Sequence, residues 1–316
     1  IDQTNPDVSL AYRTLLSISR EVQSEGWSFN EEYDVQFSVD SVTKKIAALP
    51  PLTADRVEVR TAYSTLVYNR AQFYKDGLSW KWNWPIHEVC GAAEESSIET
   101  LHNACVIPNS DGARGKDEKL YYRDALVFEQ WMLDHPEDGR GWFYLAQSYR
   151  DAGMPEKALE PLQKCLEFSR WDEEIYLAGL RVGRYKLEAG ASFEETINDF
   201  LRAYNYRPER LEALHPVIAY YRKNNMHNVA ILLGEKALKT PLTTDRLFVE
   251  PDVYEWRLRD EMGVSYYWVG RYAKSIKVIK EALDNPRANI PEGDRERLEK
   301  NIQYAEEAIN EQKTKN

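Results

Sequence analysis

The sequence predicts a mostly α-helical protein, in which a C-terminal solenoid of helical hairpins follows a small N-terminal α/β domain. Two observations support this prediction. The hydrophobic period changes near residues 109–116, from the alternation typical of strands to the 3.6-residue period of helices. A longer repeat of small and aromatic residues then begins. We therefore expect two domains, at residues 1–116 and 117–316.

Composition limits the classes of function. The chain has 316 residues, of which 43% are hydrophobic and 12% aromatic, enough for a buried core. Its 52 acidic and 41 basic residues give a net charge of −11, which repels nucleic acid and anionic membrane surfaces. No apolar run reaches the roughly 18 residues that a transmembrane helix needs, so we expect no transmembrane segment.

The cysteines indicate the compartment. The chain has 3 of them, Cys90, Cys105 and Cys165. An odd and sparse set does not form the disulfide framework of a secreted protein. A reduced, cytoplasmic location is therefore expected.

The first domain shows strand and helix patterns. Residues 56–60 and 63–73 alternate between apolar and polar side chains, which predicts two half-buried strands. Residues 75–77, Lys-Asp-Gly, predict a hairpin turn after them. Residues 9–24 have helical spacing of their apolar side chains. This part is therefore expected to be a mixed α/β piece.

The second domain contains a repeat of about 34 residues with fixed offsets. Ala146 and Ala158 would let two paired helices approach closely, and Gly153 would permit the tight turn between them. The clearest copies contain Trp142, Leu145, Ala146, Tyr149, Gly153, Ala158 and Leu162; then Leu214, Val217, Tyr221, Asn225, Ala230 and Ala237; then Gly263, Tyr266, Gly270, Ser275, Ile279 and Ala282. These offsets are those of the tetratricopeptide (TPR) repeat.

A further, less regular copy covers residues 176–208, and residues 295–313 have the one-sided apolar pattern of a capping helix. Most aromatic residues of the repeats fall at core offsets. Tyr220, Tyr267 and Trp268 lie beside core positions, so we expect them to line the concave groove and to contact a peptide or a glycan.

One stretch resembles a known enzyme family. Residues 80–88 are Trp-Lys-Trp-Asn-Trp-Pro-Ile-His-Glu. This resembles the Trp-x-Trp-x-Gly-x-x-His-Glu motif near the end of the catalytic domain in bacterial family 2 glycosyltransferases fused to TPR repeats. Residues 111–117, Asp-Gly-Ala-Arg-Gly-Lys-Asp, are similar to the linker of such proteins. The resemblance covers about residues 50–310, with the motifs in the family's order.

The resemblance implies a GT-A catalytic domain, here truncated or diverged, that binds a nucleotide sugar. It implies catalytic roles for His87 and Glu88. It also implies substrate contacts for Arg114 and for three tryptophans, Trp80, Trp82 and Trp84.

The same resemblance implies a divalent cation, Mn²⁺ or Mg²⁺, on the donor diphosphate, with Asp40 and His87 as candidate ligands. The segment expected to carry the family's Asp-x-Asp has one carboxylate, Asp40, at that position. An active enzyme would transfer the sugar with inversion to an unknown acceptor, and the TPR groove would recruit that protein or glycan acceptor.

Alternatives stay open at each of these residues. The three tryptophans alternate on one strand face, where they stack on a sugar ring or cover the first helical hairpin. The pairs His87/Cys90 and His102/Cys105 have zinc-ligand spacing, but the residues around Cys105 predict a buried strand.

Two functions from different classes remain. One is a glycosyltransferase-like protein, active or with its activity lost. The other is a non-catalytic TPR scaffold that binds a protein partner. The sequence leaves open whether the protein is an enzyme.

Overall fold

The computed structural model describes residues 27–29, 52–63, 66–106 and 119–315. The chain divides into two compact units, Ile1–Val127 and Phe128–Asn316. The predicted domain boundary after residue 116 and the helix predicted over residues 9–24 both lie outside the described residues, so both stay predictions.

The first unit contains a four-stranded sheet in the order β1-β3-β2-β6. Its strands are β1 (Trp27–Phe29), β2 (Arg56–Tyr63), β3 (Leu66–Lys75) and β6 (Ile98–Val106). The β3 strand pairs antiparallel with β1 and β2, and β6 pairs parallel with β2. The strands predicted over residues 56–60 and 63–73 are therefore confirmed, although Tyr63 belongs to β2 and β3 begins at Leu66.

A second, two-stranded sheet consists of β4 (Trp80–Asn83) and β5 (Val89–Ala92). The turn predicted at residues 75–77 is present, and Gly77 has the left-handed φ of 101° that such a turn needs. The predicted hairpin is wrong, because β3 pairs with β2 whereas β4 belongs to the other sheet. Local sequence marks a turn but does not decide which strands pair.

The core of the larger sheet is small. Val57, Val59 and Leu101 are buried together. The prediction that Cys105 is buried in a strand is wrong in one respect: it lies in β6 but is exposed. The register between β2 and β6 shifts after Val59, so that Arg60 pairs with Cys105. The prediction rested on the apolar run at residues 104–107, and such a run does not show where a strand changes its pairing register.

From Leu120 onward the chain is built from consecutive antiparallel helices, which confirms the helical-repeat fold. The helices are α1 (Leu120–Asp134), α2 (Gly139–Asp151), α3 (Pro155–Phe168), α4 (Asp172–Glu188), α5 (Phe193–Tyr206), α6 (Leu214–Lys223), α7 (His227–Ala237), α8 (Leu258–Trp268), α9 (Tyr272–Leu283) and α10 (Glu292–Lys315). A π-helical turn, Val253–Arg257, precedes α8. Helices α2 and α3, α4 and α5, α6 and α7, and α8 and α9 pack as hairpins.

Each of these four hairpins turns through a residue with positive φ: Gly153 at 77°, Gly190 at 96°, Asn225 at 59° and Gly270 at 74°. In every case the next residue donates its backbone N–H to the carbonyl five positions earlier, as Met154 does to Tyr149 at 2.9 Å. This is the Schellman closure of a helix. The predicted role of Gly153 is confirmed.

The predicted small residues lie where helices approach closely. Ala146 and Ala158 are both fully buried in the first hairpin. A Cβ atom added to Gly263 would lie 2.5 Å from Ile279 Cγ1 of the neighbouring helix. The aromatic and aliphatic residues at the core offsets, such as Leu162 and Phe200, are also buried. The offsets in the sequence therefore describe the real interhelical contacts.

The end of the array agrees with the predicted capping helix. Helix α10 buries Leu298, Ile302 and Ala305 and exposes Tyr304. Within the described part of the chain, no helix combines the length and the apolarity that crossing a lipid bilayer requires.

One feature of the array is absent from the sequence prediction. Residues 238–250, between α7 and the helical residues that begin at Pro251, form a long non-helical connection, which we call the inserted segment. The repeat offsets locate the helices on either side of it but say nothing of its path.

Candidate functional sites

The sequence-predicted catalytic motif lies on the β4–β5 pair. Trp80 and Trp82 both contact the ring of Tyr74 edge-on, with centroid distances of 5.1 and 5.9 Å, so they share a face as predicted. Trp80 Nε1 donates to the carbonyl of Lys75 at 2.8 Å. Trp84 lies beyond the end of β4 with a φ of 69°, so it does not continue the alternation. Trp82 is 49% exposed and available to a ligand.

His87 and Glu88 lie in the connection between β4 and β5. His87 has a φ of 55° and is exposed, whereas Glu88 is half-buried. Left-handed φ at a non-glycine residue is uncommon and tends to occur at functional sites and tight connections. The catalytic roles of these two residues stay predictions.

The other predicted ligands are not brought into one site. Asp40 and Arg114 lie outside the described residues. Within the described ranges, no three His, Cys, Asp or Glu side chains converge as a metal site, so His87, Cys90, His102 and Cys105 do not form the alternative zinc centre. Burial also raises the pKa of the Cys90 thiol, which keeps it in the protonated form.

The second candidate site is the face of the helical array on which the first helices of successive hairpins contact one another, as Arg181 of α4 contacts Gln147 of α2 and Arg222 of α6 contacts Glu261 of α8. We call it the inner face. Phe143 of α2, Leu180 of α4 and His215 of α6 are buried there. The guanidinium of Arg181 lies 4.2 Å from the ring centroid of Phe143, and its Nη2 donates to Gln147 Oε1 at 3.0 Å. The stacking spreads the charge of Arg181 over an aromatic surface.

The inserted segment crosses this inner face. Glu173, at the start of α4, accepts hydrogen bonds at 2.7 Å from the backbone N–H groups of Arg246 and Leu247. The ring of Phe248 lies 5.4 Å from the guanidinium of Arg181. Glu250 forms ion pairs with Arg184 at 2.7 Å and with Arg257 at 3.4 Å. The inserted segment therefore contacts α4 and the π-helical turn that precedes α8.

A buried network ties the segment to the array. Arg210, with 0% side-chain exposure, pairs with Glu212 at 3.0 Å and with Asp245 at 3.1 Å. It also donates to the carbonyl oxygens of Leu247 and Phe248 at 3.3 Å. These contacts satisfy a buried cation that would otherwise be very costly.

Two tyrosines complete the network from the neighbouring helices. The hydroxyls of Tyr176 and Tyr254 donate to Glu212 at 3.4 and 3.2 Å. Burial, followed by the charge of Glu212, raises the pKa of both phenols, so both remain protonated donors.

His215 lies on the same face. Burial, followed by the charges of Arg257, Arg184, Arg222 and Lys223, lowers its pKa to about 3. Its Nε2 atom has no hydrogen-bond partner within the part of the chain that the structure describes. His215 is therefore neutral, and three of the four nearby cations pair with carboxylates: Arg184 and Arg257 with Glu250, and Arg222 with Glu261.

The aromatic residues predicted to line the groove differ in environment. The Tyr220 hydroxyl donates a hydrogen bond to Glu194, and its ring stacks on that of Phe193 with a centroid distance of 4.6 Å. Both its ring and its hydroxyl are therefore in contact with other residues of the chain. Trp268, at the end of α8, is 66% exposed and stacks partly on His227 at 6.1 Å. Tyr267 is half-buried, as is Tyr220, so Trp268 is the most accessible of the three predicted contact residues.

Paired antiparallel helices, left-handed turns and a capping helix define a TPR-like helical-repeat protein. A protein-family comparison matches residues 1–75 to tail tubular proteins. No curated protein matches the chain.

Solved structures similar to the chain include a MamA protein, with 19% identity over 54% of this chain and 89% of MamA, at a TM-score of 0.40. Another is YrrB, described as a TPR protein with an unusual peptide-binding site, with 12% identity over 54% of this chain and 79% of YrrB, at a TM-score of 0.39. BtubC from P. vanneervenii has 15% identity over 63% of this chain and 85% of its own, at a TM-score of 0.46.

Proposed function

We propose that the protein is a non-catalytic scaffold whose TPR-like array binds a segment of a protein partner on its inner face. One observation carries the proposal: this face already holds a non-helical polypeptide, residues 245–250, through its backbone as well as its side chains. Glu173 and Arg210 contact backbone groups, which every peptide has. Arg181, Arg184 and Arg257 contact side chains and would supply selectivity.

The physical basis is general to helical arrays. Stacked hairpins form an extended concave surface whose rigidity comes from neighbour contacts, so it presents side chains without reorganising. Arginine is well suited to such a face, since its planar guanidinium both stacks on rings and pairs with carboxylates.

The test is selection of peptides from a random display library on the full-length chain, followed by fluorescence anisotropy. We expect the selected peptides to lose at least tenfold in affinity with Arg184→Glu. The matched control is Arg202→Glu, an exposed arginine on α5, the second helix of its hairpin, which should leave the affinity unchanged. Equal effects of the two substitutions on the affinity would count against the scaffold.

Glycosyltransferase activity remains a second hypothesis, supported by the motif at residues 80–88. In it, Trp82 stacks on a sugar, His87 and Glu88 serve at the rim of the site, and Mn²⁺ or Mg²⁺ neutralises the nucleotide diphosphate. Asp40, the predicted metal ligand, lies within residues 1–75, and this part of the chain matches tail tubular proteins.

A thermal-shift panel of nucleotide sugars with Mn²⁺ tests this hypothesis. A true donor should raise the unfolding midpoint of the full-length chain by mass action, and His87→Ala should remove that rise. If no donor shifts the midpoint, the enzyme hypothesis fails and the scaffold is unaffected.

A further inference from the structure

Resting on the proposed function, we propose that residues 245–250 are an internal ligand of the inner face, which the partner must displace. We further propose that the displacing segment carries the same chemistry as Phe248 and Glu250: an aromatic side chain followed two residues later by a carboxylate.

The charges on the inner face support this assignment. Within the described residues, Glu250 is the only carboxylate in ion-pair range of Arg184 and of Arg257. Other arginines of the array have partners on the helices themselves, as Arg150 has in Glu188 at 2.8 Å and Arg222 in Glu261 at 2.5 Å. Removing the segment would leave two cations uncompensated beside the buried His215, so an incoming carboxylate would be favoured there.

The aromatic position is defined by Arg181. Its guanidinium lies close to two rings, 4.2 Å from the centroid of Phe143 on the array and 5.4 Å from that of Phe248 on the segment. Its Nη1 atom is buried and has no hydrogen-bond partner within the part of the chain that the structure describes. Phe143 and Arg181 thus form a surface against which an aromatic side chain packs.

The segment is held in a way that makes displacement feasible. Phe248 has a φ of 44°, a left-handed and strained conformation that a non-glycine residue rarely adopts. Leu247, Phe248, Val249 and Glu250 are only half-buried. A partner segment not tied to α7 and α8 could take up the same contacts without this strain.

The two ends of the segment differ in how firmly the array holds them. Asp245 is fixed by the buried Arg210 and by Arg207. Arg210 also retains Glu212 when the segment lifts. Residues 247–250 can therefore leave the face while Asp245 remains as the anchor, and the buried ion network is preserved.

The experiment compares the native full-length chain with a released variant, Phe248→Ala/Glu250→Ala. The probe is a fluorescently labelled peptide that copies residues 243–252. The native chain presents its own segment at an effective concentration in the millimolar range, which should prevent the probe from binding. The released variant should bind the probe at least tenfold more tightly than the native chain does.

Three controls define the site. A probe with the same two alanine substitutions should not bind the released variant. Adding Arg184→Glu to the released variant should abolish binding, and adding Arg202→Glu should not. Tryptic cleavage after Arg246, followed by mass spectrometry, should be faster in the released variant, and circular dichroism should show unchanged helix content.

The internal-ligand proposal would be overturned if the probe bound the native and released chains equally, or if it bound neither chain. If library-selected peptides bind the native and released chains equally and depend on Arg184, the scaffold stands and only the internal ligand fails. If neither chain yields an Arg184-dependent peptide, the scaffold itself fails.

Discussion

The buried ion pair of Arg210 and Glu212 joins the helices of the array to the inserted segment. Both side chains have 0% exposure, and together they contact two tyrosines and the backbone of the inserted segment. A buried ion pair stabilises a fold little more than apolar residues of the same size would in its place. Removing one member, however, leaves a buried charge without its partner, which is strongly destabilising.

We expect Arg210→Met to lower the free energy of unfolding by about 3–5 kcal/mol. The control is Arg150→Met, because the Arg150–Glu188 pair is 44% and 39% exposed. Such surface pairs contribute about 0–1 kcal/mol. Urea denaturation followed by circular dichroism measures both. A loss for Arg210→Met no larger than that for Arg150→Met would show that the network is not needed for stability.

His215 should make stability depend on pH. Its pKa is about 3 in the folded chain, whereas an ordinary histidine has a pKa of 6.5, so below pH 6.5 the unfolded chain binds a proton that the folded chain does not. The stabilisation is therefore present above pH 6.5 and is lost as the pH falls towards 3. The slope for one such group is about 1.4 kcal/mol per pH unit.

Replacing His215 with Gln should flatten this slope between pH 6.5 and 5, which urea denaturation at a series of pH values measures. His135→Gln, at an exposed position beyond α1, serves as the control and should keep the native slope. If the two variants have the same pH dependence, His215 is not the responsible group.

At the scale of the elements, the turns of the hairpins set the geometry of the repeat. Gly153, Gly190, Asn225 and Gly270 each end a first helix in the left-handed conformation, and the Schellman hydrogen bonds then direct the chain into the second helix. The sequence pattern predicted Gly153, Asn225 and Gly270 because a residue without a Cβ, or an asparagine, tolerates this conformation best.

Two glycines isolate this effect. A Cβ atom added to Gly153 or to Gly293 meets nothing within 4 Å, so neither substitution causes a clash. Gly153→Ala should destabilise the chain by about 1–2 kcal/mol, because it forces alanine into a left-handed conformation. Gly293→Ala, in the first turn of α10, should stabilise it by up to about 1 kcal/mol.

Thermal unfolding of the two variants measures both changes. A shift of the same sign at both glycines would mean that something other than backbone conformation decides the outcome.

At the scale of the whole molecule, each hairpin of the array is stabilised by its neighbours. Helix α10 packs on α9 and α8 and contributes Leu298, Ile302 and Ala305 to the core. In a linear array of this kind, local stability is roughly the sum of the repeat's own stability and its neighbour contacts. Damage to the cap should therefore act mainly on the last hairpin.

Leu298 is fully buried, so Leu298→Ala should cost about 2–5 kcal/mol locally. Hydrogen exchange should show reduced protection in α8 to α10, while α4 and α5 keep most of theirs. Tyr304→Ala, at a position of 45% exposure on the same helix, is the control and should change little. A uniform loss of protection along the array would indicate one cooperative unit instead.

Sequence alone determined the helical array, because helix periodicity and the small residues at interhelical contacts are local properties that recur along the chain. It also predicted strands β2 and β3 and the cap α10. The motif at residues 80–88 gave a catalytic hypothesis that stays a prediction, since Asp40 and Arg114 lie outside the described residues.

The tertiary structure decided what depends on residues far apart in the chain. The pairing of β3 with β2, the exposure of Cys105 and the buried Arg210–Glu212–Asp245 network are such features. So is the path of the inserted segment over the inner face. Its contacts with α4 join residues 66 to 74 positions apart, from the Arg184–Glu250 ion pair to the hydrogen bond that Leu247 N–H donates to Glu173. No repeat offset encodes such contacts, since they form only when the folded array brings these residues together.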